Sequence, residues 1–470
     1  MFVVGGWGIV ATMLLGAGAV QSVAVGNGAR LSWSGIERSP QQMKSETETS
    51  GADTVLARYF AQLQADGMDP ANHGVWLQQG YRHLGSYNGS VPRSAASLTK
   101  VATSLAALDK WGVNHRFVTK FWTDGEIQGD RLVGNLIVEG GGDPFFVWEE
   151  AIAVGQALNQ LGIREVTQDL VLTGQFNMNF LPDPQDPDRF PDNYAGELLK
   201  VAFDADKWTP PVEKFFKDAS DTLDPVEPEV RIAGKVRLLP QVKPTGERAT
   251  LLVERRSFPL VQLLKLMNLY SNNAMAEQLA EQLGGGPAIA QTLAESMDFP
   301  ANEIQLINGS GLGVDNRISP RAATAMVFRL AHTLENPVDG TKSYTLADVF
   351  PVAGFDRATI KDRNMPVGSA VKTGTLNAVS ALSGLFATDT YGVTGFAIVN
   401  GGLPRILRIN QDRLLQNLQG AWGKPGSIPT ALTPQKNQQG RTHSDPKVGD
   451  RQRSIIPLLT SPKPSKTTVQ

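Results

Sequence analysis

Residues 97–112 read SLTKVATSLAALDKWG and combine a helix signal with a candidate nucleophile. Apolar side chains recur there at steps of three and four residues, which is typical of one face of an amphipathic helix. The residues on this face are Leu98, Val101, Leu105 and Leu108. Gly112 stands where a helix commonly ends. Because residues three apart share a helix face, the Lys100 amine can approach the Ser97 hydroxyl at the amino end of the predicted helix.

The Ser97–Lys100 pair suits nucleophilic hydrolysis, which needs an acceptor for the serine proton and donors for the developing oxyanion. The start of a helix also favours negative charge. By itself the pattern is weak, since Ser-x-x-Lys is expected by chance roughly once or twice in a chain of this composition. Residues 444–447 (SDPK) match it too, but their proline and low-complexity surroundings do not allow a helix.

A second candidate motif, Ser271-Asn272-Asn273, falls at a break between two predicted helices. The Ser271 hydroxyl can relay a proton to a leaving amine, and the Asn273 amide can hydrogen-bond a substrate backbone. The structural alternative is a helix–helix turn with polar caps.

The third candidate motif is Lys372-Thr373-Gly374-Thr375, at the end of a predicted strand that pairs with the next one. A cation and hydroxyls on an edge strand suit a substrate carboxylate, and Gly374 allows a ligand backbone to lie close. The structural alternative is an ordinary strand end with an exposed lysine.

The order SxxK, SxN, KTG is the motif set of penicillin-binding proteins and class A β-lactamases. The sequence resembles the low-molecular-mass penicillin-binding proteins, the D-alanyl-D-alanine carboxypeptidase/endopeptidase family of serine DD-peptidases whose transpeptidase domain carries an insertion. The long interval between the first two motifs is similar to that interrupted layout. Further segments resemble the family, with Asn308 where an Asp is common: 140–144 (GGGDP), 308–312 (NGSGL), 316–320 (NRISP), 350–354 (FPVAG) and 372–384 (KTGTLNAVSALSG).

The resemblance implies an α/β (α+β) fold, in which helices flank an antiparallel five-stranded sheet and an inserted subdomain is β-rich. The expected organisation has five parts. They are a signal peptide or anchor (1–25), a linker (26–50), a DD-peptidase domain (51–120 and 250–423), an inserted subdomain (121–249) and a disordered tail (424–470).

The resemblance also implies a role for each motif residue. Ser97 would attack the carbonyl between two D-alanines, with Lys100 as general base, its pKa lowered by burial and by the nearby positive Lys372. Ser271 and Lys372 would assist proton transfer. Asn273 would hold the peptide, Thr373 and Thr375 would engage the terminal carboxylate, and the N–H groups of Ser97 and Thr375 would form the oxyanion hole. Gly374 is expected in the substrate-binding set.

The implied partners are peptidoglycan stem peptides and, as covalent inhibitors, β-lactam antibiotics. No metal or organic cofactor is implied. The 470 residues carry a net charge of −2 and no cysteine, which gives no reason to expect nucleic-acid binding and excludes disulfides and thiolate chemistry. The five histidines are scattered, without the spacing of a metal site.

The first 25 residues are uncharged, apolar and rich in small side chains. They predict export to the periplasm or the outer face of the cytoplasmic membrane, with loose membrane association, although no Lys or Arg precedes the apolar run. The alternatives to a carboxypeptidase with added endopeptidase activity are a β-lactamase or esterase on the same scaffold, a non-catalytic peptidoglycan- or penicillin-binding module, and a cell-wall interaction protein that acts through its Pro-rich tail.

Overall fold

The computed structural model describes residues 50–80, 82–179, 193–218, 226–239, 249–337, 340, 343–433 and 449–457. The predicted signal peptide or anchor (1–25) lies outside these residues, as does the predicted linker 26–50 apart from Ser50. Within the described ranges, no helix has both the length and the apolar character needed to cross a membrane.

The central element is a five-stranded sheet in which every neighbouring pair is antiparallel. This confirms the fold predicted from the sequence. In spatial order its strands are β15 (Ala370–Leu376), β16 (Val379–Thr388), β17 (Gly392–Gly401), β1 (His73–Gln79) and β2 (Arg82–Tyr87).

Helices cover both faces of this sheet. On one face are α1 (Ala52–Ala65) and α10 (Pro404–Trp422), and on the other are α2 (Thr99–Trp111) and α9 (Pro320–Glu335). Strand β16 is buried at every position because each of its faces packs on a helical layer. Leu382 and Phe386 belong to the core with α1 and α10, whereas Ala381 and Leu385 belong to the core with α2 and α9. The core around α2 continues into α6 (Leu260–Tyr270), α7 (Asn273–Gln282) and α8 (Gly285–Ser296).

A small three-stranded antiparallel sheet lies beside the start of α2. Its strands, in order, are β13 (Ile304–Gln305), β14 (Arg317–Ile318) and β3 (Arg93–Ser94). In this sheet β3, just before Ser97, pairs with β14, which follows the NGSGL segment.

The middle of the chain builds two further sheets and a second hydrophobic core. The six-stranded sheet has the order β11 (Val236–Leu238), β9 (Leu170–Gln175), β7 (Leu136–Gly141), β4 (Val118–Thr123), β12 (Thr250–Arg256) and β18 (Ser454–Ile455). The four-stranded sheet has the order β10 (Arg231–Ile232), β8 (Glu165–Val166), β6 (Arg131–Val133) and β5 (Glu126–Gln128). Between these strands the chain forms α3 (Trp148–Gln160), α4 (Tyr194–Ala202) and α5 (Pro210–Asp218).

The predicted boundaries of the insertion, at residues 121 and 249, fall inside or beside one pair of strands. Strand β4 begins at Val118 and pairs antiparallel with β12, which ends at Arg256. Because hydrogen-bonded strands belong to one unit, we propose that the inserted subdomain comprises residues 118–256. Helix α3 was not predicted, and it contributes Ile152, Val154 and Leu158 to the second core.

The tail departs from the prediction of disorder over 424–470. Strand β18 pairs antiparallel with β12, and Ile456 is buried. Arg453 forms an ion pair with the buried carboxylate of Glu150, which also pairs with Arg255 at 2.7 Å. The prediction is therefore wrong for residues 449–457. An ion pair with a buried partner can order a polar segment whose composition is typical of disorder. Residues 434–448 and 458–470 lie outside the described residues.

Candidate active site

Ser97 lies in a 3-10 turn, Ala96–Leu98, immediately before α2. The α-helix predicted from Ser97 thus begins two residues later, at Thr99. The Ala95 N–H donates to the Asn316 carbonyl at 2.8 Å, and Ala96 adopts a left-handed φ of 47°. This turn directs the half-buried Ser97 into a cavity of about 940 Å³.

The turn is in close contact with Gly311 of the NGSGL segment. A Cβ on Gly311 would lie 1.8 Å from the Ala96 carbonyl oxygen, and the φ of Gly311 is +81°. Only glycine therefore fits this position without moving the backbone that carries the candidate nucleophile.

The Lys100 side chain is fully buried, and its Nζ contacts three oxygens. It lies 3.1 Å from Ser97 Oγ, 2.8 Å from Asn273 Oδ1 and 2.7 Å from the Ser310 carbonyl. A neutral amine has two N–H groups and one lone pair. The Asn273 and Ser310 oxygens can accept the two N–H groups, which leaves the lone pair for the Ser97 hydroxyl proton.

Burial lowers the pKa of Lys100 to about 7, because the surrounding protein disfavours the ammonium form. The Glu277 carboxylate acts in the opposite direction and raises this pKa. Glu277 is also tied to the neighbouring loop, where it accepts hydrogen bonds from the Gly309 and Ser310 N–H groups, each at 2.9 Å. Glu277 therefore has two effects: it raises the pKa of Lys100, and it holds the loop whose Ser310 carbonyl contacts Lys100.

Ser271 and Asn273 lie at the junction of α6 and α7. Ser271 ends α6 in the left-handed conformation, with a φ of 54° and a ψ of 40°. Asn272 then caps α7 by accepting a hydrogen bond from the Met275 N–H at 3.0 Å. A non-glycine residue in this conformation carries local strain, which often accompanies functional sites. The break lets Ser271 and Asn273 both line the cavity.

Lys372 is fully buried on β15, at the edge of the central sheet. Its Nζ donates to Ser271 Oγ at 3.1 Å and to the Thr373 carbonyl at 2.7 Å. Burial lowers the pKa of Lys372 well below its usual value, and the Lys100 charge lowers it further. The pKa of Lys100 is lowered by burial, and the charge of Lys372, which was expected to contribute, is not among its causes.

The structure brings together all the residues singled out in the sequence. Five of them line the cavity directly: Ser97, Ser271, Asn273, Thr373 and Thr375. Lys100 and Lys372 contact Ser97 and Ser271, and Gly374 lies between the two threonines of β15. The sequence analysis assigned no role to Glu277 or to the Ser310 carbonyl, although the NGSGL segment was quoted for its resemblance. It also missed Arg408 of α10, whose Nη2 donates to Thr375 Oγ1 at 2.7 Å.

The chain is similar to one family of peptidases. The model of the D-Ala-D-Ala carboxypeptidase 3 (S13) family matches residues 60–186 and 227–416. Carboxypeptidase DacB of Mycolicibacterium smegmatis is 25% identical over 347 residues, which cover 66% of this chain and 72% of that protein. D-alanyl-D-alanine carboxypeptidase DacB of Haemophilus influenzae is 26% identical over 411 residues, with 68% and 82% covered.

Two solved structures share the fold. The predatory peptidoglycan endopeptidase Bd3459 of Bdellovibrio bacteriovorus aligns with a TM-score of 0.61 at 21% identity, over 77% of this chain and 96% of that chain. Penicillin-binding protein 4 (dacB) of Haemophilus influenzae aligns with a TM-score of 0.55 at 22% identity, over 74% and 96%. Taken with the match of the family model over most of the described chain, these findings establish that the protein belongs to the D-Ala-D-Ala carboxypeptidase 3 (S13) family and is a serine-type D-Ala-D-Ala carboxypeptidase.

Proposed function

We propose that Ser97 is the nucleophile and that Lys100 is its general base. The observation that carries this assignment is the position of Lys100 Nζ, buried and 3.1 Å from Ser97 Oγ, with its two other contacts made to oxygen acceptors. A pKa of about 7 leaves a large fraction of Lys100 neutral at neutral pH. A base whose pKa is near the working pH is the most effective one.

The reaction proceeds through an acyl-enzyme. Ser97 Oγ forms a bond to the carbonyl carbon between two D-alanines, and its proton passes to Lys100 Nζ. The proton then reaches the leaving nitrogen through the Ser271 hydroxyl as the peptide bond breaks, with Lys372 holding Ser271 in place. Water finally attacks the Ser97 ester, and Lys100 accepts a proton from it and returns this proton to Ser97 Oγ as the ester bond breaks.

The remaining residues bind and orient the peptide. The Asn273 carboxamide is placed to hold the substrate backbone, while Thr373 and Thr375 are placed to engage the carboxylate of the leaving residue. The N–H groups of Ser97 and Thr375 are the proposed donors to the oxyanion. Gly374 keeps β15 free of a side chain where the substrate backbone must approach.

The proposed substrates are the D-Ala-D-Ala ends of peptidoglycan stem peptides and, in addition, their cross-links. Both reactions break the same kind of bond, and the cavity of about 940 Å³ is large enough for a branched peptide. One similar structure is a peptidoglycan endopeptidase, and another form of that protein is acylated by penicillin G. We propose that β-lactams acylate Ser97 in the same way.

Peptidoglycan lies outside the cytoplasm, so the protein must act there. We propose that it is exported to the periplasm or to the outer face of the cytoplasmic membrane, with loose attachment to that membrane. The apolar character of residues 2–25 supports this proposal.

Digestion of purified muropeptides tests the function directly. The wild-type protein should release D-Ala from a monomeric pentapeptide and convert a cross-linked dimer to monomers, as followed by liquid chromatography with mass spectrometry. Ser97→Ala should abolish both reactions, whereas Ser94→Ala, the same substitution three residues earlier, should retain them. Protein that is labelled by fluorescent penicillin but never releases D-Ala would indicate a binding module. Faster turnover of penicillin than of peptide would indicate a β-lactamase.

A further inference from the structure

The cavity that contains Ser97 is also lined by the amino-terminal part of α10, through Pro404, Arg405 and Arg408. Arg408 is exposed to this space, and its Nη2 donates to the hydroxyl of Thr375 at 2.7 Å. Thr375 is exposed as well and lies at the end of the KTGT stretch. A guanidinium and a threonine hydroxyl therefore lie next to each other at the edge of the candidate active site.

The charge of Arg408 is not neutralised by any ion pair among the described residues. Arg363, which also lines the cavity, differs because it pairs with Asp412 at 2.8 Å and both of these groups are largely buried. Lys361 lies 4.0 Å from Asp362. Arg408 thus presents a free positive charge to the cavity beside the hydroxyl that is proposed to contact the leaving residue.

The arrangement is better suited to a ligand than to stability. A hydrogen bond between two exposed side chains adds little to the free energy of folding. Arginine, however, offers a planar set of N–H donors that matches a carboxylate, and such charge-assisted pairs are both strong and geometrically specific.

We propose that Arg408 recognises the free carboxylate of the residue that leaves during cleavage and so makes the enzyme selective for peptides with such a group. This inference rests on the proposed function, in which Thr375 engages the same carboxylate. Arg408 and Thr375 together would hold the two carboxylate oxygens. Peptides whose leaving residue is amidated would lose the ionic part of this interaction.

The experiment compares kcat/KM for two substrates, an acylated L-Lys-D-Ala-D-Ala peptide and the same peptide with a carboxy-terminal amide. The wild-type protein should prefer the acid. Arg408→Gln should lower the ratio of acid to amide about tenfold or more, the value of one charge-assisted hydrogen bond. Arg408→Lys should give an intermediate ratio, because it keeps the charge but not the planar donors.

Arg413→Gln is the matched control, since Arg413 is an exposed arginine of the same helix and is not among the residues that line the cavity. Its ratio should stay within about twofold of the wild-type value, as for most surface substitutions. An unchanged ratio in Arg408→Gln, in a protein that still cleaves the acid, would overturn the inference alone. Wild-type protein that cleaves neither peptide and is not labelled by penicillin would instead refute the proposed function.

Discussion

Replacing Gly311 by alanine tests the contact that holds the nucleophile in place. Gly311 and Gly313 have similar left-handed conformations, with φ of +81° and +88°. An L-residue in that region costs about 1–2 kcal/mol at either position. Only at Gly311 does the added Cβ meet obstacles, which are the Ala96 carbonyl oxygen at 1.8 Å and Thr99 Oγ1 at 2.7 Å. No atom lies within 4 Å of the Cβ at Gly313.

Overpacking of this kind adds about 1–3 kcal/mol, and here the main obstacle is backbone that cannot rotate away. We therefore expect Gly311→Ala to lower the free energy of unfolding by about 2–5 kcal/mol, against about 1–2 kcal/mol for Gly313→Ala. Because Ser97 directly follows Ala96, the rate of acylation by fluorescent penicillin should also fall, by about a hundredfold for a displacement near 1 Å.

Urea denaturation monitored by tryptophan fluorescence gives the free energies, and stopped-flow labelling gives the acylation rates. Both variants carry the strain of the left-handed conformation, so the difference between their free energies of unfolding measures the clash with Ala96 and Thr99 alone. Equal stabilities and equal acylation rates in the two variants would show that the contact between Gly311 and Ala96 does not position the nucleophile.

Four further predictions concern the base and the tail. Below pH 7, kcat/KM should fall about tenfold per pH unit, because Lys100 must be neutral to act and its pKa is about 7. Glu277→Gln removes the charge that raises this pKa, so the acidic limb of the kcat/KM profile should move to lower pH, and a limb that stays or moves up would contradict the assignment. Lys100→Ala should reduce the acylation rate at least about a hundredfold while circular dichroism shows a folded protein. Removal of residues 449–470 deprives Glu150 of its ion pair with Arg453, so the free energy of unfolding should fall by about 3 kcal/mol. Penicillin labelling should persist. Unchanged stability would refute a structural role for this segment.

The sequence revealed the elements whose signals are local. The three- and four-residue spacing of apolar side chains in 97–112 predicted α2, and the strand that carries Lys372 was predicted to pair with the next one, as β15 pairs with β16. The three motifs were recognisable because each one fits within four residues. Their order allowed the resemblance to be stated without any knowledge of distances.

The rest depends on contacts between distant parts of the chain, which local patterns do not encode. The carbonyl of Ser310 reaches Lys100 across 210 positions, and every residue has a carbonyl, so no side-chain pattern could mark it. Arg408 is an exposed cation on an amphipathic helix, which in a sequence is indistinguishable from a solvated surface residue. Strand β18 has only two residues, and the Arg453–Glu150 pair holds its segment in place. The composition of this segment therefore did not predict a strand.

The central claim is that Ser97 is the residue acylated during the reaction. Mass spectrometry of the intact protein after exposure to penicillin, followed by peptide mapping, tests it most directly. A single adduct on the peptide that contains Ser97, absent from Ser97→Ala and present in Ser94→Ala, is the predicted result. An adduct on another residue, or an adduct that persists in Ser97→Ala, would contradict the assignment.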